Sequence, residues 1–350
     1  MLTQVRIVGA GLIGTSIALA LNTRGVAVEL VDNDPTAAAL ANDLAKAESV
    51  QAPELVILAI PSEAIPLVIE SEVLLNPNST FMDVGSVKTE PIVHIQKSSL
   101  ALSRFVPTHP MAGREVGGAY SARADLFATR SWIMTPTAEC SAQSQAVVLE
   151  LIDLLGATAI VLPADEHDRA VAAISHLPQI ASTLLAHSLE GAPSEWLDLA
   201  GAGLRDTVRI AGSDPKLWSE ILYSNRDQIV ELAQQMHRAL GELLLNLESK
   251  SAIASFIEKG GFERSRIPGK HGGKAREYTY LPIVIDDKPG QLAAIFNECA
   301  AIAVNVEDLN IEHSPGQQSA LITLALSSRD ADSLSRHLSA IGWNVHPILK

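Results

Sequence analysis

The feature that most constrains this chain is a glycine turn, Gly9-Ala10-Gly11-Leu12-Ile13-Gly14. It lies between an apolar β-branched run beginning at Val5 and a stretch with helical spacing that reaches about Thr23. The first glycine permits the tight bend, the second lets backbone approach a pyrophosphate, and the third lets the helix sit close on the strand. The helix start, at Leu12 and Ile13, then offers unpaired N–H groups and a positive dipole end to the phosphates. A second run, VAVELVD, ends in Asp32. A carboxylate there accepts from both ribose hydroxyls and repels a 2′-phosphate, which points to NAD rather than NADP. The competing reading is a structural glycine turn with Asp32 merely capping the next helix.

Short β-branched runs keep alternating with helical stretches through LVILAIP, FMDVGS, RFVPTHP, SWIMTP and ATAIVLP. This alternation predicts a parallel, doubly wound α/β sheet of the Rossmann type over residues 1–164. From 165 to 262 strand signals stop. Ile229, Leu232, Met236, Leu240, Leu243 and Leu244 form one stripe on a long helix starting near Arg226, and Asp214-Pro215 reads as a helix start. This all-helical segment has more apolar faces than a small lone domain needs, which predicts a homodimer. The basic, glycine-rich stretch 263–277 reads as a linker. Residues 278–350 give the order βαββαβ of a ferredoxin-like sandwich, with a DDKPG turn before its first helix.

A formal net charge of −14 argues against a nucleic-acid partner and requires that any anionic substrate meet arginines gathered in one cleft. The chain start leaves no room for a signal peptide, and no apolar run reaches bilayer length, so a cytoplasmic protein without a membrane partner is expected. Cys140 and Cys299, the only cysteines, lie far apart, show no metal-ligand or redox spacing, and read as structural thiols.

The candidates for chemistry are polar residues at strand ends and in the helical segment: Ser86 in DVGSVK, His109 in PTHPMAG, Glu115, His167, His176, and Arg205 and Arg209 in GLRDTVRIA. His109, immediately after a strand, would face the carboxyl-end crevice. There an imidazole is suited to taking a hydroxyl proton near neutral pH; the alternative is a loop histidine bonded to backbone. Arg205 and Arg209, four apart, could share a helix face and hold a carboxylate, or could form a solvated face pairing with Asp206.

Taken together, GAGLIGTSIALAL with Asp32, DVGSVK, THPMAG, EHD with SHLPQ, and LRDTVRIAGSDPKLW resemble the prephenate and arogenate dehydrogenase family in order and spacing. By that resemblance, His109 accepts the ring-hydroxyl proton, Ser86 hydrogen-bonds the same hydroxyl, and Arg209 grips the ring carboxylate. Glu115 and His176 would line the substrate pocket, with His167 a looser match. The resemblance implies NAD-dependent oxidative decarboxylation of prephenate to 4-hydroxyphenylpyruvate, in tyrosine biosynthesis. The 278–350 unit, with Asp287, Pro289 and Gly290 in its turn, looks like an ACT domain, which implies tyrosine as an effector. Where many prephenate-using relatives carry a second histidine after SHLP, this chain has Gln179, which leaves arogenate open as the substrate. A β-hydroxyacid-type dehydrogenase would need a lysine base opening the second domain, and no lysine occurs between Lys97 and Lys216. A non-catalytic amino-acid sensor would not need Ser86, His109, Arg209 and Asp32 together.

Overall fold

The computed structural model describes residues 2–114, 116–267, 278–312 and 319–349. The chain forms two compact units, residues 1–240 and 241–350. The first begins with β1 (Gln4–Val8), α1 (Leu12–Asn22), β2 (Ala27–Val31), α2 (Pro35–Ala45), β3 (Leu55–Leu58) and α3 (Ile65–Leu75). It continues with β4 (Thr80–Asp83), α4 (Thr89–Gln96), β5 (Phe105–Pro110), β6 (Ser131–Met134), α5 (Ala142–Leu154) and β7 (Thr158–Val161). Its seven-stranded sheet has the order β2-β1-β3-β4-β5-β6-β7.

Period-two alternation places each strand's side chains on opposite faces. Val5, Ile7, Leu55, Ile57, Met82 and Val106 pack in the cluster that includes α1, α2 and α5 residues. Val8, Val56, Leu58, Phe81 and Phe105 pack on the other face, with Ile65 and Ile69 of α3 and Ile95 of α4. Helices thus cover both faces, and the chain reverses its winding between β1 and β3, where a crevice opens at the carboxyl ends.

The expectation of a wholly parallel sheet is corrected. Strands β1 to β5 are parallel, but β6 runs antiparallel to β5, and β7 follows β6. Among the described residues, no α-helix lies between β5 and β6. A parallel neighbour needs a crossover, whereas a returning loop delivers an antiparallel one.

The helical part of this unit comprises α6 (Ala164–Val171), a π turn (Ala172–His176), α7 (Leu177–His187), α8 (Ser194–Leu197) and α9 (Ala202–Val208). A 3₁₀ turn (Arg209–Gly212), α10 (Pro215–Ser224) and α11 (Arg226–Leu245) follow. Asp214 caps α10 by accepting from the N–H groups of Lys216 and Leu217, as the Asp-Pro pair predicted. Of the predicted α11 stripe only Ile229 is buried, whereas Leu240 and Leu244 are exposed.

The second unit holds α12 (Lys250–Ser265), β8 (Thr279–Asp286), α13 (Gln291–Ala301), β9 (Asp308–Glu312), β10 (Ser319–Leu326), α14 (Ser328–Ala340) and β11 (Asn344–Val345). Its four strands form an antiparallel sheet in the order β11-β8-β10-β9, over a core of Leu281, Ile283, Ile295, Leu324 and Leu334 among others. Within the stretch read as a linker, Glu263 to Ser265 are helical, since Ser249 caps α12 and the helix runs on to Ser265; residues 268–277 lie outside the described residues.

Candidate active site

The glycine turn closes as its sequence requires. Gly9 has φ +115° and donates from its N–H to the Val31 carbonyl at 2.7 Å; a Cβ there would lie 2.2 Å from the Ala59 carbonyl oxygen. A Cβ on Gly14 would sit 2.0 Å from the Gly9 carbonyl oxygen, so only glycine lets α1 rest on β1. A Cβ on Gly11 would meet nothing within 4 Å. That free space in front of the first turn of α1, beside Leu12 and Ile13, fits a pyrophosphate on the helix N-terminus.

Asp32 lies just beyond β2. Its Oδ2 accepts from the Ala10 N–H at 2.6 Å and its Oδ1 from the Asp34 N–H at 2.8 Å. Asp32 does not cap α2; Asp34 does, by accepting from the Thr36 N–H. The carboxylate therefore holds the glycine turn in place and retains lone pairs for ribose hydroxyls.

Along the carboxyl edge, β5 is three strands from β1, about 14 Å away. His109 is the penultimate residue of β5 rather than the first residue after it, paired with Ile133 of β6. Since β6 returns antiparallel, hydrogen bonding carries β5 past the point where its parallel partner β4 stops.

His109 is half-buried, and its Nδ1 lies 2.9 Å from Nε2 of His167 in α6. The His167 Nδ1 lies 2.8 Å from Asp168 Oδ1, and both side chains are buried. Asp168 Oδ1 also accepts from the Lys88 N–H at 2.8 Å; its Oδ2 accepts from the N–H and hydroxyl of Thr89 at 2.9 and 2.6 Å. Burial opposes the Asp168 charge, yet these donors hold its carboxyl below the usual carboxylate range.

Lys88 is fully buried. Its ammonium donates to Asp83 at the end of β4 and to the carbonyl of Thr108, the residue before His109. Burial pushes the Lys88 ammonium down and the Asp83 carboxyl up, and the ion pair between them opposes both shifts. His109 is held well below the ordinary histidine range, first by burial and then by the charge of Lys88 and the neighbouring rings of His167 and His176. It is therefore a neutral imidazole at neutral pH, ready to accept a proton.

His176, at the end of the π turn, is buried and pushed down to about 4 by that burial. The Nδ2 of Asn225 donates to the Asp168 carbonyl at 2.8 Å and points at His176 Nδ1 at 3.0 Å. A flipped amide would set oxygen against that carbonyl, so His176 Nδ1 is the acceptor and Nε2 carries the ring's proton. Trp218 of α10 meets the same ring edge to face.

Of the other predicted residues, Ser86 is half-buried in the turn after β4. Gln179 is buried in α7, with Nε2 donating to the Ile210 carbonyl at 3.0 Å and Oε1 left without a partner. Arg205, whose Nε donates to the Ala200 carbonyl, and Arg209 are both exposed. Asp287 is exposed, and Gly290 takes φ +91° at the start of α13, the left-handed conformation that glycine favours. Glu115 lies outside the described residues. Sequence reasoning missed Lys88, Asp168 and Asn225. All three are polar residues with buried side chains, and only the placement of Lys88 and Asp168 inside DVGSVK and EHD hinted at them.

A glycine-turn dinucleotide fold with a neutral imidazole on the same sheet edge, joined to a helical segment, defines a two-part nucleotide-dependent dehydrogenase. Comparison with known proteins sharpens this class. Residues 17–161 match the prephenate dehydrogenase nucleotide-binding domain, and residues 163–258 match the prephenate dehydrogenase dimerization domain. A probable prephenate dehydrogenase of Streptomyces niveus is 31% identical over 96% of this chain and 98% of its own length. The prephenate dehydrogenase of Bacillus subtilis is 25% identical over 94% of each chain. A crystal structure of A. aeolicus prephenate dehydrogenase with hydroxyphenyl propionate and NAD+ shares the fold at a TM-score of 0.68 and 24% identity, covering 77% of this chain and 99% of that one. The chain belongs to the prephenate dehydrogenase family.

Proposed function

We propose that the chain catalyses NAD-dependent oxidative decarboxylation of prephenate to 4-hydroxyphenylpyruvate. The observation that carries this reading is His109, neutral at the carboxyl edge, with its Nδ1 engaged by His167 and its Nε2 available to a substrate hydroxyl. Gly9, Gly11, Gly14 and Asp32 would hold NAD, which when bound accepts the hydride from the ring carbon bearing the hydroxyl. His109 takes the hydroxyl proton as the carbonyl develops, and loss of carbon dioxide then gives the aromatic ring. Aromatisation supplies the driving force, so the protein contributes orientation and one well-placed base.

In this reading Ser86 orients the hydroxyl, Arg209 takes the ring carboxylate, and His176, presenting its Nε2–H, donates to the substrate. Glu115, Gln179 and Arg205 complete the pocket. NADH formation with prephenate and with arogenate, measured in parallel, tests it: faster turnover of prephenate is expected, and turnover of neither overturns the reading. His109→Asn should lower turnover by about 10²–10⁴-fold while leaving NAD affinity nearly intact.

The finer organisation follows the same reading: a nucleotide domain at 1–164, a helical substrate and dimer domain at 165–262, and a regulatory domain at 278–350. Exposed Ile174, Leu184, Trp196 and Leu199 support a homodimer through the helical segment. The βαββαβ order of the C-terminal unit and its turn at Asp287, Pro289 and Gly290 support an ACT-like domain that binds tyrosine as a feedback effector, in a cytoplasmic enzyme of tyrosine biosynthesis. Removing residues 278–350 should abolish inhibition by tyrosine; inhibition that persists assigns the effector to another site.

A further inference from the structure

We infer that His167 and Asp168 are positioning residues that fix the tautomer of His109, so that its Nε2 faces the crevice without a proton. The inference rests on the proposed role of His109 as the proton acceptor, and it follows from counting donors along a chain of three side chains.

Asp168 accepts from the Lys88 and Thr89 N–H groups and the Thr89 hydroxyl, and its Oδ1 lies 2.8 Å from His167 Nδ1. Its two oxygens are thereby occupied as acceptors, so the carboxyl is ionised and His167 Nδ1 must carry a hydrogen. In a neutral ring that leaves His167 Nε2 as an acceptor. The contact of 2.9 Å to His109 Nδ1 is then a hydrogen bond only if His109 Nδ1 donates. His109 Nε2, the one remaining nitrogen, is left with a free lone pair. An isolated imidazole holds both tautomers, and the wrong one presents an N–H to a substrate hydroxyl whose proton has to leave.

When the substrate's O–H bond breaks, the proton forms an N–H bond at His109 Nε2, and no other bond in the chain needs to change. The imidazolium so formed keeps its Nδ1–H on His167, with that one ring between it and the negative charge of Asp168. Lys88 acts on the same residue from the other side. Its backbone N–H holds Asp168, while its ammonium holds the Thr108 carbonyl one residue before His109. Ring and backbone of His109 are thus both anchored on one lysine.

The test needs a readout that a merely structural role would not move. ¹⁵N spectra of histidine-labelled protein at neutral pH, with the His109 signals assigned by their loss in His109→Asn, report which ring nitrogen is protonated. In the wild type His109 should show Nδ1–H; in His167→Leu it should relax toward a mixture of tautomers. The same variant should lose about 10²-fold in kcat with little change in KM or NAD affinity. His167→Gln, which offers an amide oxygen to His109 Nδ1, should recover part of that loss. If His167→Leu does not fold, the wild-type spectrum and His167→Gln still decide the matter. A wild-type His109 protonated at Nε2, or a folded His167→Leu with undiminished kcat, overturns the inference. A correct tautomer in a protein that oxidises neither dienol would overturn the proposed activity and leave the positioning intact.

Discussion

His176 provides a quantitative test of how the site is built, through the dependence of stability on pH. Burial holds its ring at about 4, against an ordinary histidine value of 6.5. The sign follows from proton counting. Between these two values the unfolded ring is protonated and the native ring is not, so the unfolded state binds more protons and stability falls as pH falls. Above 6.5 the contribution is fully present; below about 4 no more is lost. A gap of this size, at about 1.4 kcal/mol per unit, sets a ceiling of about 3 kcal/mol, and the part of it lost between about pH 6.5 and 4.5 is about 2 kcal/mol. The perturbation is His176→Gln, whose amide oxygen keeps an acceptor for Asn225 but cannot titrate. The assay is urea unfolding followed by tryptophan fluorescence at several pH values from about 7.5 to 4.5. Only the difference between the two proteins matters, since it cancels other titrating groups, His109 among them. The wild type should lose about 2 kcal/mol more than the variant across that window. Parallel losses would refute the assignment of His176 as a buried neutral ring.

Three further outcomes follow from contacts already described. Gly14→Ala should destabilise the nucleotide-binding part by about 3 kcal/mol or more, seen as a lower melting temperature, because its Cβ would collide with the Gly9 carbonyl. Gly11→Ala, with open space around its Cβ, should melt like the wild type yet bind NAD at least about tenfold more weakly by titration calorimetry. Lys88→Met strands Asp83 in the interior and should cost about 3–5 kcal/mol in chemical unfolding; an unchanged midpoint would show that the pair is not held as described.

Local signals carried the fold a long way. The glycine turn, the β-branched runs and the Asp214-Pro215 start are rules of neighbouring residues, and the elements they predict are present at those places. Direction of pairing is a different matter. SWIMTP looks the same whether β6 runs with β5 or against it, because the alternation of side chains does not encode strand polarity. Nor does polarity decide where a helix ends, which is why a basic, glycine-containing stretch read as linker when its first residues complete α12.

For the site, His109 was legible as a histidine at a strand end. The machinery around it was not. Asp168 and Lys88 are 80 positions apart, and a charged residue in a helical pattern normally faces water, so neither could be recognised as buried. Asn225, just before α11, carried no signal in the sequence, yet its amide bridges the Asp168 carbonyl and His176.

The placement of Asp168 has a consequence for motion as well as for chemistry. The first amides of α4 find no cap on their own helix; the Asp168 carboxylate reaches them from α6. The α/β layer and the helices that follow it are therefore riveted at the point where the base is held. Swinging them apart to admit substrate would strip three donors, the Lys88 and Thr89 N–H groups and the Thr89 hydroxyl, from one carboxylate in a single movement. Entry must then be gated elsewhere, by pieces of chain that can shift without pulling that rivet.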